Sequence, residues 1–321
     1  HEDQAVKAVC RICVVEVEGQ RLLPAACSTP VTEGMVVKTA SPKVIKARKN
    51  IMELILARHP QDCLVCSKNG SCELQKVAKD LNMNRPNRYE MQVRDARFDN
   101  SSPSIVRDMS KCILCNRCVE ACSKKQGVMV MAKENRGFDT VVVPPYGKLL
   151  ADTSCVNCGQ CIQVCPVGAL SVHDDTERIY EQIDAGKYMT VQIAPSVRIT
   201  LAESLGYKPG TVTTGKIVHA LRKIGFHKVF DSDFTADLTI MEEGTEFLHR
   251  MQNHGTLPLI TSCCPAWVKY CETYGYDQLD HLSTAKSPQQ MFGAVIKTFF
   301  AEKEKIDPKD ICSVSVMPCT A

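Results

Sequence analysis

The cysteines are the residues of this chain with the most evident chemistry. Of its 321 residues 19 are cysteine, and 14 of these lie within the first 165 positions, most of them three residues apart. Disulfide frameworks belong to short secreted domains, whereas clustered thiols in a chain of this length indicate metal binding, because two thiolates at this spacing can converge on one centre. Thiolate ligands must stay reduced, so we expect an anaerobic cytoplasmic setting.

One cysteine pattern occurs twice in the chain. It runs Cys112-x2-Cys115-x2-Cys118-x3-Cys122 and then Cys155-x2-Cys158-x2-Cys161-x3-Cys165. This is the bacterial two-cluster ferredoxin pattern, in which the fourth cysteine of each run binds the other cluster. The predicted ligand sets of the two [4Fe-4S] clusters are therefore Cys112, Cys115, Cys118 and Cys165, and Cys155, Cys158, Cys161 and Cys122. Zinc ribbons or inert buried thiols are the alternative, but zinc sites use two separated pairs rather than three cysteines in one loop.

A third [4Fe-4S] cluster is predicted from His59-x3-Cys63-x2-Cys66-x5-Cys72. His59 could instead end the preceding helix with its ring in solvent, but the three cysteines need a fourth ligand. A histidine ligand would raise the cluster's reduction potential relative to four thiolates.

A fourth group, made of Cys10, Cys13 and Cys27, supplies three of the four ligands that a [2Fe-2S] cluster needs. The chain opens at His1, inside what should be the first ligand loop of such a domain. We therefore expect that the missing ligand lies before the start of this sequence.

The order of segments predicts α+β iron-sulfur modules followed by an α/β domain. We predict a partial β-grasp [2Fe-2S] ferredoxin-like domain over 1–40. A [4Fe-4S] module with one histidine and three cysteine ligands, followed by a linker, is predicted over 41–100. A two-[4Fe-4S] ferredoxin-like domain is predicted over 101–185. Strands and helices then alternate over 186–321, with strands predicted at 189–193, 228–230, 257–260 and 313–316. Open α/β sheets place their sites beyond the carboxyl ends of the strands.

Composition and motifs exclude several function classes. The formal charge of +3 comes without a basic stripe, which argues against a nucleic-acid partner. The sequence has no apolar run near the roughly 18 residues of a membrane span. It also has no glycine-rich dinucleotide fingerprint or Walker loop, so nucleotide chemistry would belong to a partner subunit.

Two short strings after predicted strands resemble the first two signature segments of the iron-only (FeFe) hydrogenases. These are Thr-Ser-Cys-Cys-Pro-Ala-Trp at 261–267 and Met-Pro-Cys-Thr-Ala at 317–321. The resemblance implies that Cys264 and Cys319 bind the cubane of the H-cluster, and that Cys263 is the free thiol beside the diiron subcluster's bridging amine. It also implies a diiron unit with carbonyl, cyanide and dithiolate ligands.

The same resemblance implies a proton route through Cys263, Glu243, Ser283, Glu246 and Arg250, and a diiron pocket lined by Pro195, Ser196 and Met317. Without the neighbouring cysteines, the carboxylates would be interpreted as a solvated helix surface. The third signature segment, which carries the last two cluster cysteines, does not occur. Either the sequence is part of a longer chain, or the protein is truncated or split, and the missing first ligand at the other end favours a partial sequence.

The implied function is reversible reduction of protons to hydrogen, with electrons relayed through the accessory clusters. Ferredoxin, or a flavin- and NAD(P)-binding subunit of a hetero-oligomer, would exchange those electrons. One alternative is the iron-sulfur subunit of complex I or of a formate dehydrogenase, which looks similar over 1–100. The other is a non-catalytic electron-transfer, sensor or assembly relative. The 261–267 string argues against the first, and the retained proton route argues against the second.

Overall fold

The computed structural model describes residues 6–83, 88–94 and 98–321. The expected ligand-loop start at His1 and part of the predicted linker lie outside these ranges. The chain divides into two compact units, His1–His173 and Asp174–Ala321. No helix within the described ranges is both long and apolar enough to cross a membrane.

The first unit is built from short antiparallel strands and four helices among its described residues. The strands are β1 (Glu16–Val17), β2 (Val37–Lys38), β3 (Phe98–Asp99), β4 (Ile105–Asp108), β5 (Ala132–Glu134), β6 (Val141–Val143) and β7 (Leu170–Val172). They pair as β1-β2, β3-β4-β7 and β5-β6. The helices are α1 (Pro42–Leu56), α2 (Glu73–Asp80), α3 (Arg117–Glu120) and α4 (Gln160–Gln163).

Local sequence explains where α1 begins. The Ser41 hydroxyl accepts a hydrogen bond from the Val44 backbone N–H at 3.3 Å, and Pro42 occupies the first turn, where its missing N–H costs nothing. Val44 and Met52 are fully buried on one face of the helix. This face anchors the segment that leads to His59.

The β4-β7 pair positions the two-cluster region. Strand β4 ends just before the first cysteine run, and β7 begins just after the second. A buried ion pair reinforces this sheet, with Arg107 Nη1 2.8 Å from Asp99 Oδ2. The Leu150 backbone N–H also donates to Asp99 at 3.0 Å, so the buried carboxylate has several partners and its desolvation is offset.

The second unit contains the α/β architecture that the sequence predicts. Its strands are β8 (Tyr188–Ile193), β9 (Lys228–Asp231) and β10 (Ile311–Val316). They form a parallel sheet in the order β10-β8-β9. The helices are α5 (Thr176–Asp184), α6 (Val197–Ser204), α7 (Thr214–Ile224), α8 (Asp233–Gln252), α9 (Pro265–Tyr274), α10 (Pro288–Val295) and α11 (Ala301–Glu304).

The central strand β8 carries the core of this unit. Met189 and Val191 on one face and Thr190 and Gln192 on the other are all buried, as expected for a parallel strand covered on both faces. The predicted strand at 257–260 is wrong. Only Ile260 pairs there, in an isolated parallel bridge with Leu282. Pro258 has no N–H to donate to a ladder, which limits pairing to that single position.

Candidate iron–sulfur centres and proton-transfer residues

The two cysteine runs of the repeat line two separate small cavities. One cavity is lined by Cys112, Cys115, Cys118 and Cys165, and the other by Cys122, Cys155, Cys158 and Cys161. The fourth cysteine of each run therefore lies with the first three of the other run, which is the crossed grouping predicted from the sequence. Cys122 lies in a π-helical turn, Ala121–Lys125, that continues α3.

The environment of these thiols is strongly desolvated. Burial raises the pKa of Cys115 to about 11 and that of Cys161 to about 12, and it raises the pKa of Cys118 well above the usual value. The neighbouring thiols act in the same direction. Such groups ionise when a cation compensates the charge, so binding of iron would release protons from them.

His59 lies with its three predicted partners. His59, Cys63, Cys66 and Cys72 line one cavity of about 420 Å³. Burial lowers the pKa of His59, which favours the neutral imidazole that can bind a metal. Its Nδ1 atom is buried without a hydrogen-bond partner among the described residues. The cavity, the orphaned nitrogen and the three thiols together fit a [4Fe-4S] cluster.

Gly168 also lines this cavity, three residues after Cys165. A Cβ atom on Gly168 would lie 2.5 Å from the Cys66 sulfur, closer than any normal contact. Sequence reasoning missed this residue, although its place just after the second cysteine run was a signal. The close approach requires glycine at this position.

The three cysteines of the first module are close to one another. A hydrogen bond with the Cys13 thiol raises the pKa of Cys27, and the charge of Cys10 has a smaller effect in the same direction. Cys10 and Cys27 line a common cavity. The donor set therefore fits three of the four ligands of a [2Fe-2S] cluster.

Within the described ranges, no three His, Cys, Asp or Glu side chains converge closely enough to hold one metal ion. A cubane makes no such demand, because each of its thiolates binds a different iron atom.

In the second unit, three predicted site residues follow parallel strands at the same edge of the sheet. Pro195 and Ser196 follow β8 after one intervening residue, and Met317 comes directly after β10. Met317 packs against the buried group that contains Ala194 and Val197, which flank the Pro195-Ser196 pair. The structure thus places Met317 beside the segment that carries Pro195 and Ser196, and their role in a diiron pocket stays a prediction.

Cys263, Cys264 and Cys319 are exposed in this unit. Cys264 lies immediately before α9, and Cys319 lies three residues beyond β10. The expected approach of Cys264 to Cys319 stays a prediction.

Glu246 is the centre of a hydrogen-bonded group. Its Oε2 atom accepts from the Ser283 hydroxyl at 3.0 Å and from the Thr284 backbone N–H at 3.0 Å. Its Oε1 atom lies 2.6 Å from Arg250 Nη2. Burial raises the pKa of Glu246, but the hydrogen bonds from Arg250, Thr284 and Ser283 outweigh it and hold the pKa below its usual value.

The Ser283 segment is bonded to the loop that carries Cys263. The Ser283 backbone N–H donates to the Ile260 carbonyl at 2.7 Å, and the Ser262 hydroxyl donates to the Ala285 carbonyl at 2.9 Å. These bonds hold the free thiol's loop beside the Ser283–Glu246 pair. Sequence reasoning identified Ser283 but missed its neighbour Thr284.

Glu243 lies one helical turn before Glu246 on α8 and is half-buried. Among the described residues it has no hydrogen bond to the group around Glu246. The structure therefore places four residues of the predicted route on three hydrogen-bonded segments, which are the Cys263 loop, the Ser283 segment and α8, and leaves Glu243 on α8 one turn before Glu246.

Four family models match successive parts of the chain. They are the 2Fe-2S iron-sulfur cluster binding domain (4–42), the NADH-ubiquinone oxidoreductase-G iron-sulfur binding region (48–87), the 4Fe-4S dicluster domain (111–169) and the iron only hydrogenase large subunit, C-terminal domain (187–321). The chain therefore contains iron-sulfur domains followed by a hydrogenase large-subunit domain.

Known hydrogenases match nearly the whole chain. It is 51% identical to the NADP-reducing hydrogenase subunit HndD of Solidesulfovibrio fructosivorans, over 98% of this chain and 55% of the relative. It is 40% identical to iron hydrogenase 1 of Clostridium pasteurianum, over 97% of this chain and 54% of the relative. The chain thus spans about half the length of these curated relatives.

Among solved structures, an apo [FeFe]-hydrogenase HydA1 variant from Chlamydomonas reinhardtii is 44% identical over 44% of this chain and 38% of that one, with a TM-score of 0.42. The resemblance to the iron-only hydrogenases that the sequence predicts is confirmed by the family match and the two curated relatives.

Proposed function

We propose that this chain carries the electron-relay clusters and active-site residues of an iron-only hydrogenase, which interconverts protons and hydrogen. The observation that carries the proposal is the hydrogenase large-subunit match over 187–321, within which the Cys263 loop is bonded to the Ser283 segment. Neither an assembly factor nor an electron-transfer subunit has a use for a thiol beside a carboxylate route.

Electrons would pass through four accessory clusters. The three [4Fe-4S] clusters would be held by the two crossed cysteine sets and by His59 with Cys63, Cys66 and Cys72. The [2Fe-2S] cluster would be held by Cys10, Cys13, Cys27 and one further ligand. Shared cavities and desolvated thiols support these ligand sets. The corresponding domains would span 1–40, 41–100, 101–185 and 186–321.

The second unit would hold the H-cluster and deliver protons to it. Cys264 and Cys319 would bind its cubane, while Pro195, Ser196 and Met317 would line the pocket of its diiron unit. When bound, the diiron unit supplies the redox chemistry of hydrogen. The protein's own part is to tune the cofactor and to exclude bulk water.

Proton transfer would use the Glu246 group. Arg250 keeps Glu246 as a carboxylate that can accept a proton, and the Ser283 hydroxyl, already donating to that carboxylate, can relay a proton in either direction. Cys263 would hold the proton at the end next to the diiron unit. Glu243 would carry protons between Glu246 and Cys263 by changing its side-chain rotamer on α8.

The partner is proposed from the similarity to a relative named an NADP-reducing hydrogenase subunit. We propose a hetero-oligomeric cytoplasmic complex in which another subunit carries flavin and NAD(P), with ferredoxin as a further electron carrier. Copurification under anaerobic conditions tests this assembly directly.

Infrared spectroscopy of the full-length protein, matured and purified without oxygen, tests the activity proposal. A hydrogenase should give bands of metal-bound carbonyl and cyanide and should evolve hydrogen with a reduced dye. Absence of those bands in a preparation with complete iron-sulfur clusters would overturn the proposal and favour a non-catalytic relative.

A further inference from the structure

Glu73 connects two of the predicted cluster loops through its backbone. It lies directly after Cys72 and is the first residue of α2. Its backbone N–H donates to the Pro166 carbonyl at 3.0 Å. Pro166 in turn directly follows Cys165. This hydrogen bond therefore links two predicted cluster sites. Glu73 follows Cys72, a ligand of the predicted His59 cluster, and Pro166 follows Cys165, a ligand of the predicted Cys112 cluster.

The side chain of Glu73 makes a second connection to the same region. Its two carboxylate oxygens accept from the two terminal nitrogens of Arg117, at 2.6 and 2.8 Å. Arg117 lies between Cys115 and Cys118 in the ligand loop. This is the two-pronged geometry in which an arginine–carboxylate pair is strongest and most directional.

An ordinary surface ion pair is the competing interpretation. The side chain of Glu73 is 55% exposed and that of Arg117 is 25% exposed, and exposed pairs contribute little to stability. The position of this pair is what distinguishes it, because each of its charges lies in a ligand loop of a different cluster. Cluster potentials depend on nearby charge and on hydrogen bonding.

The two charges also have opposite effects on the reduction potentials of the two predicted clusters. A histidine ligand raises the potential of its cluster above that of an all-cysteine neighbour. With both clusters bound, the negative charge of Glu73 would lower the potential of the His59 cluster, and the positive charge of Arg117 would raise the potential of the Cys112 cluster. Both effects would reduce the difference in reduction potential that the histidine ligand creates between the two clusters.

We propose that Glu73 and Arg117 form a clamp that holds these two ligand loops together and brings the potentials of their clusters close. The proposal rests on the cluster ligation given under the proposed function. One electron leaves one cluster, which is oxidised, and enters the other, which is reduced, with no further reactant. Closely matched potentials let this transfer run in both directions, as reversible hydrogen chemistry requires.

Redox titration of the full-length protein, followed by electron paramagnetic resonance, tests the clamp. Glu73→Gln keeps the shape of the side chain and removes its charge, and Arg117→Gln removes the opposite charge. We expect Glu73→Gln to raise the potential of the His59 cluster and Arg117→Gln to lower that of the Cys112 cluster. Each shift should be on the order of a tenfold change in the ratio of reduced to oxidised cluster, which is about 59 mV for one electron.

Asp80→Asn is the matched control, since it removes one exposed carboxylate from the last position of the same helix. Seven residues separate it from Glu73, about 10 Å along the helix axis. Its cluster potentials should equal those of the wild type. Potentials in the two test variants that move no further than in this control would overturn the clamp.

Arg117→Lys keeps the positive charge but removes the two-pronged hydrogen bond, so it tests charge separately from geometry. It also gives a measurable variant if Arg117→Gln loses its clusters. Lysine keeps the charge without the two-pronged contact, so the potential of the Cys112 cluster should stay near the wild-type value. A shift as large as that of Arg117→Gln would overturn the electrostatic account. A wild-type protein without the resonance of a His-ligated cluster would instead overturn the ligation by His59 on which the clamp rests, whereas the infrared bands test the hydrogenase activity separately.

Discussion

The two units bring their candidate residues together in different ways. In His1–His173, each of the three predicted [4Fe-4S] ligand groups comes from one or two short loops and lines a cavity of its own. In Asp174–Ala321, the candidate residues are far apart in sequence, at strand ends, in loops and along α8, and Cys263, Cys264 and Cys319 are exposed. Cluster sites are thus specified locally, whereas the active-site region depends on the sheet.

This difference separates two kinds of sensitivity. A ligand set that lies in one loop loses its cluster when one thiol or one close contact changes. A set that is distributed over the sheet and α8 can lose proton transfer while its fold and its cluster cysteines remain.

Cys161→Ser should remove the cluster of the second cysteine run. Its thiol is deeply desolvated and shares a cavity with Cys122, Cys155 and Cys158. We expect the iron content to fall by one cubane and hydrogen evolution to fall to background, because the electron relay is broken. Iron analysis and hydrogen evolution with a reduced dye measure both effects.

Cys271→Ala is the control for that substitution. Cys271 is fully buried on α9, away from every ligand pattern, as expected for an ordinary core thiol. Its iron content should match the wild type. Equal iron loss in both variants would contradict the local specification of the clusters.

Cys263→Ser should lower hydrogen evolution by roughly 10²- to 10⁴-fold, the usual contribution of a positioned proton donor. A hydroxyl ionises far less readily than a thiol near neutral pH. Iron content and the resonances of the accessory clusters should not change. Loss of those clusters in this variant would show that Cys263 acts as a ligand rather than as a proton donor.

Gly168→Ala should weaken or remove only the His59 cluster. The added methyl group would lie 2.5 Å from the Cys66 sulfur, so that thiol must move away from its position. We expect a selective loss of one resonance and about a tenfold to hundredfold weaker hold on that cluster, comparable to the loss of a supporting contact at a metal site. Gly244→Ala on α8, where an added Cβ meets nothing within 4 Å, is the control.

The sequence predicts the local sites better than the distributed one, for a physical reason. The spacing of the repeat implies the crossed pairing of Cys122 and Cys165, because three cysteines in one loop leave the fourth ligand to the other run. By contrast, nothing in the spacing of Glu246, Ser283 and Thr284 predicts their hydrogen bonds, since 37 and 38 residues separate them. The tertiary position of the 282–285 segment decides that contact. The predicted strand at 257–260 failed for the same reason, because its apolar residues found a single partner in Leu282.

Glu246→Gln tests the smallest effect, the pH dependence of stability. Hydrogen bonds to the carboxylate hold the folded-state pKa of Glu246 below its unfolded value of about 4.3. Its stabilisation is therefore complete above that pH and is lost as the pH falls through the lower folded-state pKa. The pair with Arg250 is partly exposed, so its contribution is about 0.5 kcal/mol.

Thermal unfolding of the wild type and of Glu246→Gln, measured between pH 3 and 7, shows whether the group behaves in this way. The difference in the free energy of unfolding should be constant near neutral pH and should shrink on acidification. Asp237→Asn, on the same helix, is the control, because it shows how the loss of another carboxylate from α8 changes the free energy of unfolding. A difference that grows on acidification would mean that Glu246 is protonated in the folded protein, and the role of Arg250 in keeping it as a carboxylate would be wrong.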